Sequence, residues 1–283
     1  MSKEKVDVYQ IVTDRIIGML EDGVVPWNKP WATGSEAPMN LVSKKAYRGV
    51  NVWLLSCAGY ASPYWVSYKQ ATEMGGQVRK GEKSTPVVYW KMFETLDKAT
   101  GEKKTIPMLK YYSVFNVSQC DGIKYPTPEE LEKIQFDPIG EAEKIVANMP
   151  KKPTILHGEQ QAYYNRSSDF VNMPQKETFD KVENYYSVLF HELTHATGHE
   201  NRLGRLQNDV SKFGDACYAK EELVAEMGAS FLCATAGIVD RTIDNSASYI
   251  ASWLKRLKND KKLVVSASAK AHQSTDFILG VSA

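Results

Sequence analysis

Four cysteines are all that the sequence holds, at positions 57, 120, 217 and 233, and no two of them form a CxxC pair. That spacing excludes a disulfide-stapled fold and a thiolate zinc site, and it leaves buried thiols in a reducing compartment as the expectation. Long apolar runs are missing as well. No stretch approaches the roughly 18 residues of a membrane span, and the opening MSKEKVDVYQIVTDRI has no apolar core of signal-peptide length. A soluble, cytoplasmic protein with no membrane partner is expected. Net charge is almost absent, +1 over 283 residues. There is no internal repeat and no low-complexity tract, which sets aside solenoids and compositionally biased tails.

The small net charge hides an asymmetry. Residues 1–125 carry 17 Lys and Arg against 12 Asp and Glu, whereas residues 126–283 carry 18 against 22. Apolar residues make up 43% and charged residues 24%, an ordinary globular composition, and the length suits two domains. A basic front and an acidic back point to two surfaces with different tasks. Pro126, Pro128 and Pro138 punctuate a polar stretch, which places the boundary there: a domain over 1–125, a linker over 126–139 and a domain over 140–283.

Apolar residues at helical spacing predict a first helix from Val6 to Leu20, ended by Gly23, and Pro26 and Pro30 make a loop of Trp27–Trp31. Helices are expected over Val50–Gly59 and Tyr68–Met74, followed by a turn at Gly75–Gly76. Val87–Leu96 and Lys110–Val117 read as an antiparallel pair of strands. Behind the linker come a helix over Gly140–Asn148, a strand over Thr154–Leu156, and an extended stretch through Tyr163, Tyr164, Phe170 and Val171. Helices over Thr178–Gly198, Ala219–Ala236 and Ser246–Leu257 complete an α+β fold.

The Thr178–Gly198 helix contains His191-Glu192-Leu193-Thr194-His195. Residues four apart on a helix stand one above the other, about 6 Å along the axis, so two imidazoles can converge on one ion. Glu192, one step round, can face a water polarised by that ion and take its proton. A catalytic zinc site uses three protein ligands, so a third is required. The motif runs on as far as Gly198, but the position where a third histidine would follow holds Asn201. His199 lies about 12 Å along the axis from His191 if the helix continues, and only a break at Gly198 would bring it back. Glu222 is the better candidate: it shares a helix face with Glu226, so one binds the ion and the other orients a ligand histidine. Glu221, on a neighbouring face, is able to exchange roles with them. His157 and His272 read as structural or surface histidines. Tyr163, Tyr164 and Tyr218 are equivalent candidates for a transition-state hydrogen bond, with packing as the default for each.

In the front half, Asn40–Phe115 holds 12 positive side chains against 5 acids, with 12 aromatics interleaved. Cations that follow phosphates and rings that stack on bases are what single-strand binding requires. The candidates are Lys44, Lys45, Tyr47, Arg48, Trp65, Tyr68, Arg79, Lys80, Lys83 and Trp90. The competing reading is a basic domain whose aromatics form its core.

Tyr47-Arg48-Gly49-Val50-Asn51-Val52, Gln70-Ala71 with Gly75-Gly76, Val78-Arg79-Lys80-Gly81-Glu82-Lys83 and Val114-Phe115-Asn116-Val117 resemble the N-terminal domain of ArdC-type anti-restriction proteins, a domain that also begins TraC-type plasmid primases. The metallopeptidase domain joined to it is resembled by Phe190–His199, Arg202-Leu203, Tyr218–Glu226 and Ser248–Leu254. The resemblance covers nearly the whole chain. It implies a basic α+β domain that binds single-stranded DNA and a zincin-like metallopeptidase domain around the HExxH helix. Such proteins shield DNA entering a host during conjugation from restriction. By the same resemblance His191, His195 and Glu222 hold Zn²⁺ (or Mn²⁺ or Co²⁺), Glu192 is the base, and an unidentified protein or peptide is the substrate. Two other readings compete: a pure DNA-shielding module with a structural or silent metal site, and a metal-dependent nuclease. Oxygen ligands are usual in nucleases, which makes the last the weakest.

Overall fold

The computed structural model describes residues 7–28, 37–96, 102–126, 137–206, 216–238 and 247–281. Its first helix, α1 (Val8–Glu21), is capped by the Asp7 carboxylate on the Gln10 N–H and is followed by Gly23 at φ +77°. Pro26–Asn28 forms one short 3₁₀ turn; Trp31, at the far end of the predicted loop, lies outside the described residues. β1 (Met39–Asn40) then leads to α2 (Val50–Ser56), β2 (Tyr64–Ser67) and α3 (Tyr68–Glu73). Ser67 and Gln70 close α3 with a reciprocal capping box, which is why it starts where β2 ends. After β3 (Gln77–Val78) come the long strands β4 (Thr85–Leu96) and β5 (Lys103–Asn116), then β6 (Cys120–Asp121).

The front sheet has the order β1-β2-β5-β4, parallel only between β1 and β2, and β3 pairs with β6 separately. β4 and β5 are the antiparallel pair that alternation predicts, in register from Thr85↔Val114 to Leu96↔Lys103. β5 begins at Lys103 rather than Lys110, because its first half alternates little in polarity and carries no strand signal of its own.

The back half contains α4 (Pro138–Asn148), β7 (Thr154–Leu156), β8 (Tyr163–Asn165), β9 (Phe170–Asn172), α5 (Val182–Ala196), α6 (Ala216–Thr235), α7 (Ala247–Asn259) and α8 (Leu263–Ile278). The three strands make one sheet, β7-β9-β8, parallel then antiparallel. α5 starts at Val182, four residues later than its periodicity suggests, and Lys176–Thr178 is a separate 3₁₀ turn.

α8, a largely buried helix, joins the halves. One core cluster combines Val12, Ile16, Leu20, Trp27 and Trp53 of the front with Leu223, Phe231, Trp253, Leu257 and Val264 of the back. A second is confined to the back half, around Met173, Tyr186, Phe190, Leu193 and Leu232. The Tyr47–Asn51 motif lies on this seam. Arg48 pairs with Asp276 of α8, Gly49 takes φ +58°, and the buried Asn51 amide exchanges two 2.8 Å hydrogen bonds with the Val88 backbone. Cys57, Cys120 and Cys233 are thiols; the Cys217 side chain lies outside the described residues. Among those residues no helix is long and apolar enough to cross a membrane.

Candidate metal centre

On α5, His191 and His195 are one turn apart, and their Nε2 atoms converge to 3.1 Å. α6 brings Glu222 to them: its carboxylate oxygens lie 3.6 Å from Nε2 of His191 and 3.5 Å from Nε2 of His195. A tetrahedral ion with bonds near 2.1 Å holds its ligand atoms about 3.4 Å apart. The three separations fit one divalent ion, and two imidazoles with one carboxylate are a donor set that zinc and its neighbours accept. Among the described residues this is the one group of three or more His, Cys, Asp or Glu side chains close enough to share an ion.

Two helices must run very close for this to happen. Gly228 of α6 faces Thr194 of α5, and a Cβ on Gly228 would sit 2.5 Å from Thr194 Cγ2 and 2.7 Å from Oγ1. Thr194 is fully buried and returns its hydroxyl to the Phe190 carbonyl at 2.7 Å. The glycine is there for close approach, and that approach delivers Glu222 to the histidines.

Glu192 is only 8% exposed. It lies at a cleft of about 360 Å³ that also holds His191, His195 and Glu222, walled by Tyr163 and Tyr164 of β8. A buried carboxylate next to His191, facing a cleft, is placed to accept a proton.

The carboxylate on the far side of the His195 ring is Glu221. Its Oε1 lies 3.4 Å from Nδ1 of His195. Arg205 holds it in turn, Nη2 donating to Oε1 at 2.6 Å and Nε to Oε2 at 3.0 Å. Burial would raise the Glu221 pKa, but His195 and Arg205 outweigh it and hold the carboxyl below its ordinary value. Burial would likewise lower His195; Glu221 first, then Glu222 and Glu192, turn that into a net rise. Arg205 reaches this position because the chain doubles back after α5. Leu206 packs on Gly198, where a Cβ would meet it at 2.6 Å, and donates its N–H to the Gly198 carbonyl at 3.0 Å.

Glu226, the expected orienting carboxylate, stands elsewhere. Its Oε2 accepts from the Trp27 indole at 2.9 Å and from the Tyr249 hydroxyl. Burial raises its pKa, opposed by Tyr249 and by the charge of His191. The helix turns 100° per residue, so Glu221 and Glu226 differ in direction, and packing against α5 decides which one meets a histidine. Arg205 gave no sequence signal, since nothing in its neighbourhood marks it as a partner of α6.

His199 is not drawn to the centre. α5 ends at Ala196, and in the following turn His199 Nδ1 accepts the Asn201 N–H at 3.2 Å, with Asp169 3.9 Å away. His157 bonds the Tyr185 hydroxyl at 2.9 Å and stacks on its ring. His272 packs edge-on against Phe231, and burial, then Arg48, push its pKa down to about 4. Tyr163 donates to Glu159 at 3.1 Å and Tyr164 to Asp169 at 2.8 Å; the Tyr218 side chain lies outside the described residues.

The basic front divides sharply. Tyr47 and Trp65 are buried, 8% and 1% exposed, in a cluster with Leu55, Val87 and Val114, so neither ring is open to a base. Strand pairing turns Trp65 inward, and the Met39↔Ala46 bridge lays Tyr47 beside it, which their place in the sequence does not reveal. Arg79 is committed locally to Glu82 at 2.9 Å and to the Ser118 carbonyl at 2.7 Å, and Arg48 to Asp276. Lys44, Lys45, Lys80 and Lys83 are exposed, as are Tyr68 and Trp90. Lys44 lies over the Tyr64 ring at 5.3 Å, and Trp90 meets Tyr9 edge to face at 6.4 Å.

Comparison with known proteins follows the same division. The model of the N-terminal domain of the anti-restriction factor ArdC matches residues 6–115, and that of a zincin-like metallopeptidase matches 140–270. The crystal structure of antirestriction protein ArdC from plasmid R388 without metal is 42% identical, with TM-score 0.75, over 96% of this chain and 97% of that one. The Mn(II)-bound form is 40% identical, with TM-score 0.77, over 97% and 98%. Protein y4eC of Sinorhizobium fredii is 38% identical over 96% of this chain and 91% of its own length. DNA primase TraC of Escherichia coli is 37% identical over 99% of this chain, which spans only 28% of that primase.

Proposed function

This chain belongs to the ArdC family of antirestriction proteins, and from that premise we propose that its front half binds single-stranded DNA entering a host during conjugation while its back half is a metal-dependent peptidase. The convergence of His191, His195 and Glu222 beside the buried Glu192 carries the peptidase part of this reading, and the match to the ArdC N-terminal domain together with the basic front half supports the other. A divalent ion held by those three side chains would polarise a substrate carbonyl and make nearby water more acidic. Glu192 takes a proton from water in the cleft and delivers it to the leaving amine. Glu221 and Arg205 hold the His195 ring in the orientation that ligation needs. β8, the edge of its sheet, lies beside the cleft, and an extended peptide can pair with such an edge. The ligand set suits Zn²⁺, and the Mn(II) held by the R388 protein makes Mn²⁺ and Co²⁺ the ions to test beside it. Primase activity is not carried over from TraC, of which this chain matches a minor part.

The test uses the full chain. Elemental analysis should find about one divalent ion per chain, lost in His195→Ala and in Glu222→Ala and kept in His199→Ala. A chain that keeps its ion as Glu222→Ala and loses it as His199→Ala has a different third ligand. Glu192→Gln preserves size and ligands, so metal content should survive while peptide hydrolysis falls roughly 10²-fold or more. Protection of DNA from restriction then separates the roles. Protection that survives Glu192→Gln comes from coating the strand, the outcome we expect; protection that disappears makes proteolysis part of the defence.

A further inference from the structure

The β4–β5 ribbon has two faces with unlike chemistry, and the register separates them. Tyr89↔Lys110, Lys91↔Met108 and Phe93↔Ile106 lie on one face, with Val87↔Tyr112 at its base. Trp90↔Leu109, Met92↔Pro107 and Glu94↔Thr105 lie on the other. The second face is covered only in part: Val88 and Leu109 enter the core and Trp90 meets Tyr9, while Trp90 and Met92 remain 48% and 60% exposed, and this face carries Glu94. The first face is anchored only at its root, by the buried Val87 and Val114.

Beyond that root the first face is open. Tyr89 is 44% exposed and Tyr112 40%, their rings 5.7 Å apart and edge to face. The ammonium groups of Lys91 and Lys110 lie 5.2 and 5.4 Å from the centre of the Phe93 ring. Along the register from Thr85↔Val114 to Thr95↔Lys104 this face carries no Asp or Glu, the one acid of the paired stretch, Glu94, being on the other side. Two cations drawn to one ring with no acid between them repel each other, and an anion seated there relieves the repulsion. Exposed rings in a contiguous row mark an interaction surface rather than a solvated one. Side chains on one strand face recur about every 7 Å, a step that an extended nucleotide chain can follow.

We propose that single-stranded nucleic acid lies along this face, with bases stacked on Tyr89, Phe93 and Tyr112 and phosphates on Lys91 and Lys110. The assignment rests on the reading that the chain binds single strands, and it goes further by moving the contact away from Tyr47 and Trp65. Single strands are favoured over duplex because rings set into a strand face need bases that are already unstacked.

The experiment measures fluorescence anisotropy of labelled oligo-dT, about 30 nucleotides long, with the full chain. Tyr89→Ala with Tyr112→Ala should weaken binding roughly 10- to 100-fold, in keeping with the loss of base stacking, and Tyr89→Phe with Tyr112→Phe should restore it. Lys91→Gln with Lys110→Gln should lower the slope of log affinity against log salt by about 1.4, roughly 0.7 for each phosphate contact on a single strand. Trp90→Phe, on the other face, should change neither. Metal content and thermal melting of each variant establish that it is folded. Wild-type chain that does not bind oligo-dT removes the single-strand reading itself. Wild-type chain that binds while both ribbon double variants bind equally well leaves that reading standing and overturns this assignment. Ribbon variants that alter self-association in sedimentation but not oligo-dT binding overturn it in favour of a protein-docking face.

Discussion

Arg205 grips Glu221 through both carboxylate oxygens, at 2.6 and 3.0 Å, and Glu221 in turn lies 3.4 Å from Nδ1 of His195. A side chain from the loop after α5 thereby steadies a carboxylate of α6 that faces His195 on α5. Arg205 also donates to the Thr194 carbonyl and the Thr197 hydroxyl, so one guanidinium ties the end of the HExxH helix to the helix that supplies Glu222.

Glu221→Gln should weaken metal binding by about 10- to 100-fold, the usual consequence of losing a partner behind a ligand histidine. Arg205→Lys should act in the same direction, because an ammonium cannot grip both oxygens. Competition with a chromophoric chelator reads both, and unchanged affinity in the two variants would show that the contact has no bearing on the ion.

Gly228→Ala places a methyl group 2.5 Å from Thr194 Cγ2. α6 must retreat or Thr194 must move, and Thr194 has no exposed surface to move into. We expect a loss of about 1–3 kcal/mol in stability together with weaker metal binding, since Glu222 retreats with its helix. Denaturant melts and metal titration are the readouts. Adding Thr194→Ala should recover part of both losses; an undiminished Gly228→Ala protein would mean the helices have room that the geometry denies.

Asp169 and Arg202 set a pH dependence. The Arg202 side chain is 1% exposed, pairs with Asp169 and donates to the Ala196 carbonyl at 2.6 Å and the Lys151 carbonyl at 3.0 Å. Burial pushes the Asp169 pKa up, but Arg202 and then Tyr164 prevail and hold it below its ordinary value. A folded pKa below the unfolded one, near 3.9, means that the contribution is complete at neutral pH and is lost as pH falls below about 4. Asp169→Asn should cost roughly 2–3 kcal/mol at pH 7 by leaving a buried guanidinium without its charge partner. The difference from wild type should shrink in melts below pH 4; a difference that is constant with pH would exclude the ion pair as its cause.

A fragment of residues 1–125 should not melt cooperatively. It retains Val12, Ile16, Leu20 and Trp27 but loses Leu223, Trp253, Leu257 and Val264, against which they pack. Each fully buried side chain of this size contributes about 1.5–3 kcal/mol by leaving water, so the exposed remainder should bind a hydrophobic dye and melt broadly. A sharp transition at the temperature of the whole chain would show that the front half is self-sufficient.

Much of the architecture follows from patterns confined to a few neighbouring residues. Helical spacing marks α1 and α5, Ser67 and Gln70 mark the start of α3, and alternation marks the β4–β5 pair. Two histidines four apart on a helix announce an ion before any tertiary contact is known, because the helix alone sets their separation. Glu222 and Glu226 share a face of one helix, which makes that face a source for the third ligand.

What the sequence left open were the choices that depend on which surfaces meet. Glu221 rather than Glu226 stands behind His195 because α6 crosses α5 at Gly228 and Thr194, a contact between residues far apart in the chain. Tyr47 and Trp65 are aromatic and flanked by cations in the sequence, yet both are buried beside Val87 and Val114, Trp65 through the pairing of β2 with β5 and Tyr47 through the Met39↔Ala46 bridge that precedes it. Tyr89 and Tyr112, no different in composition, stay outside because the ribbon runs past the body that would cover them. Local periodicity is encoded by residues within one or two turns of each other, and the sequence by itself determines it; burial and partnership depend on packing between distant segments, and only the tertiary structure decides them.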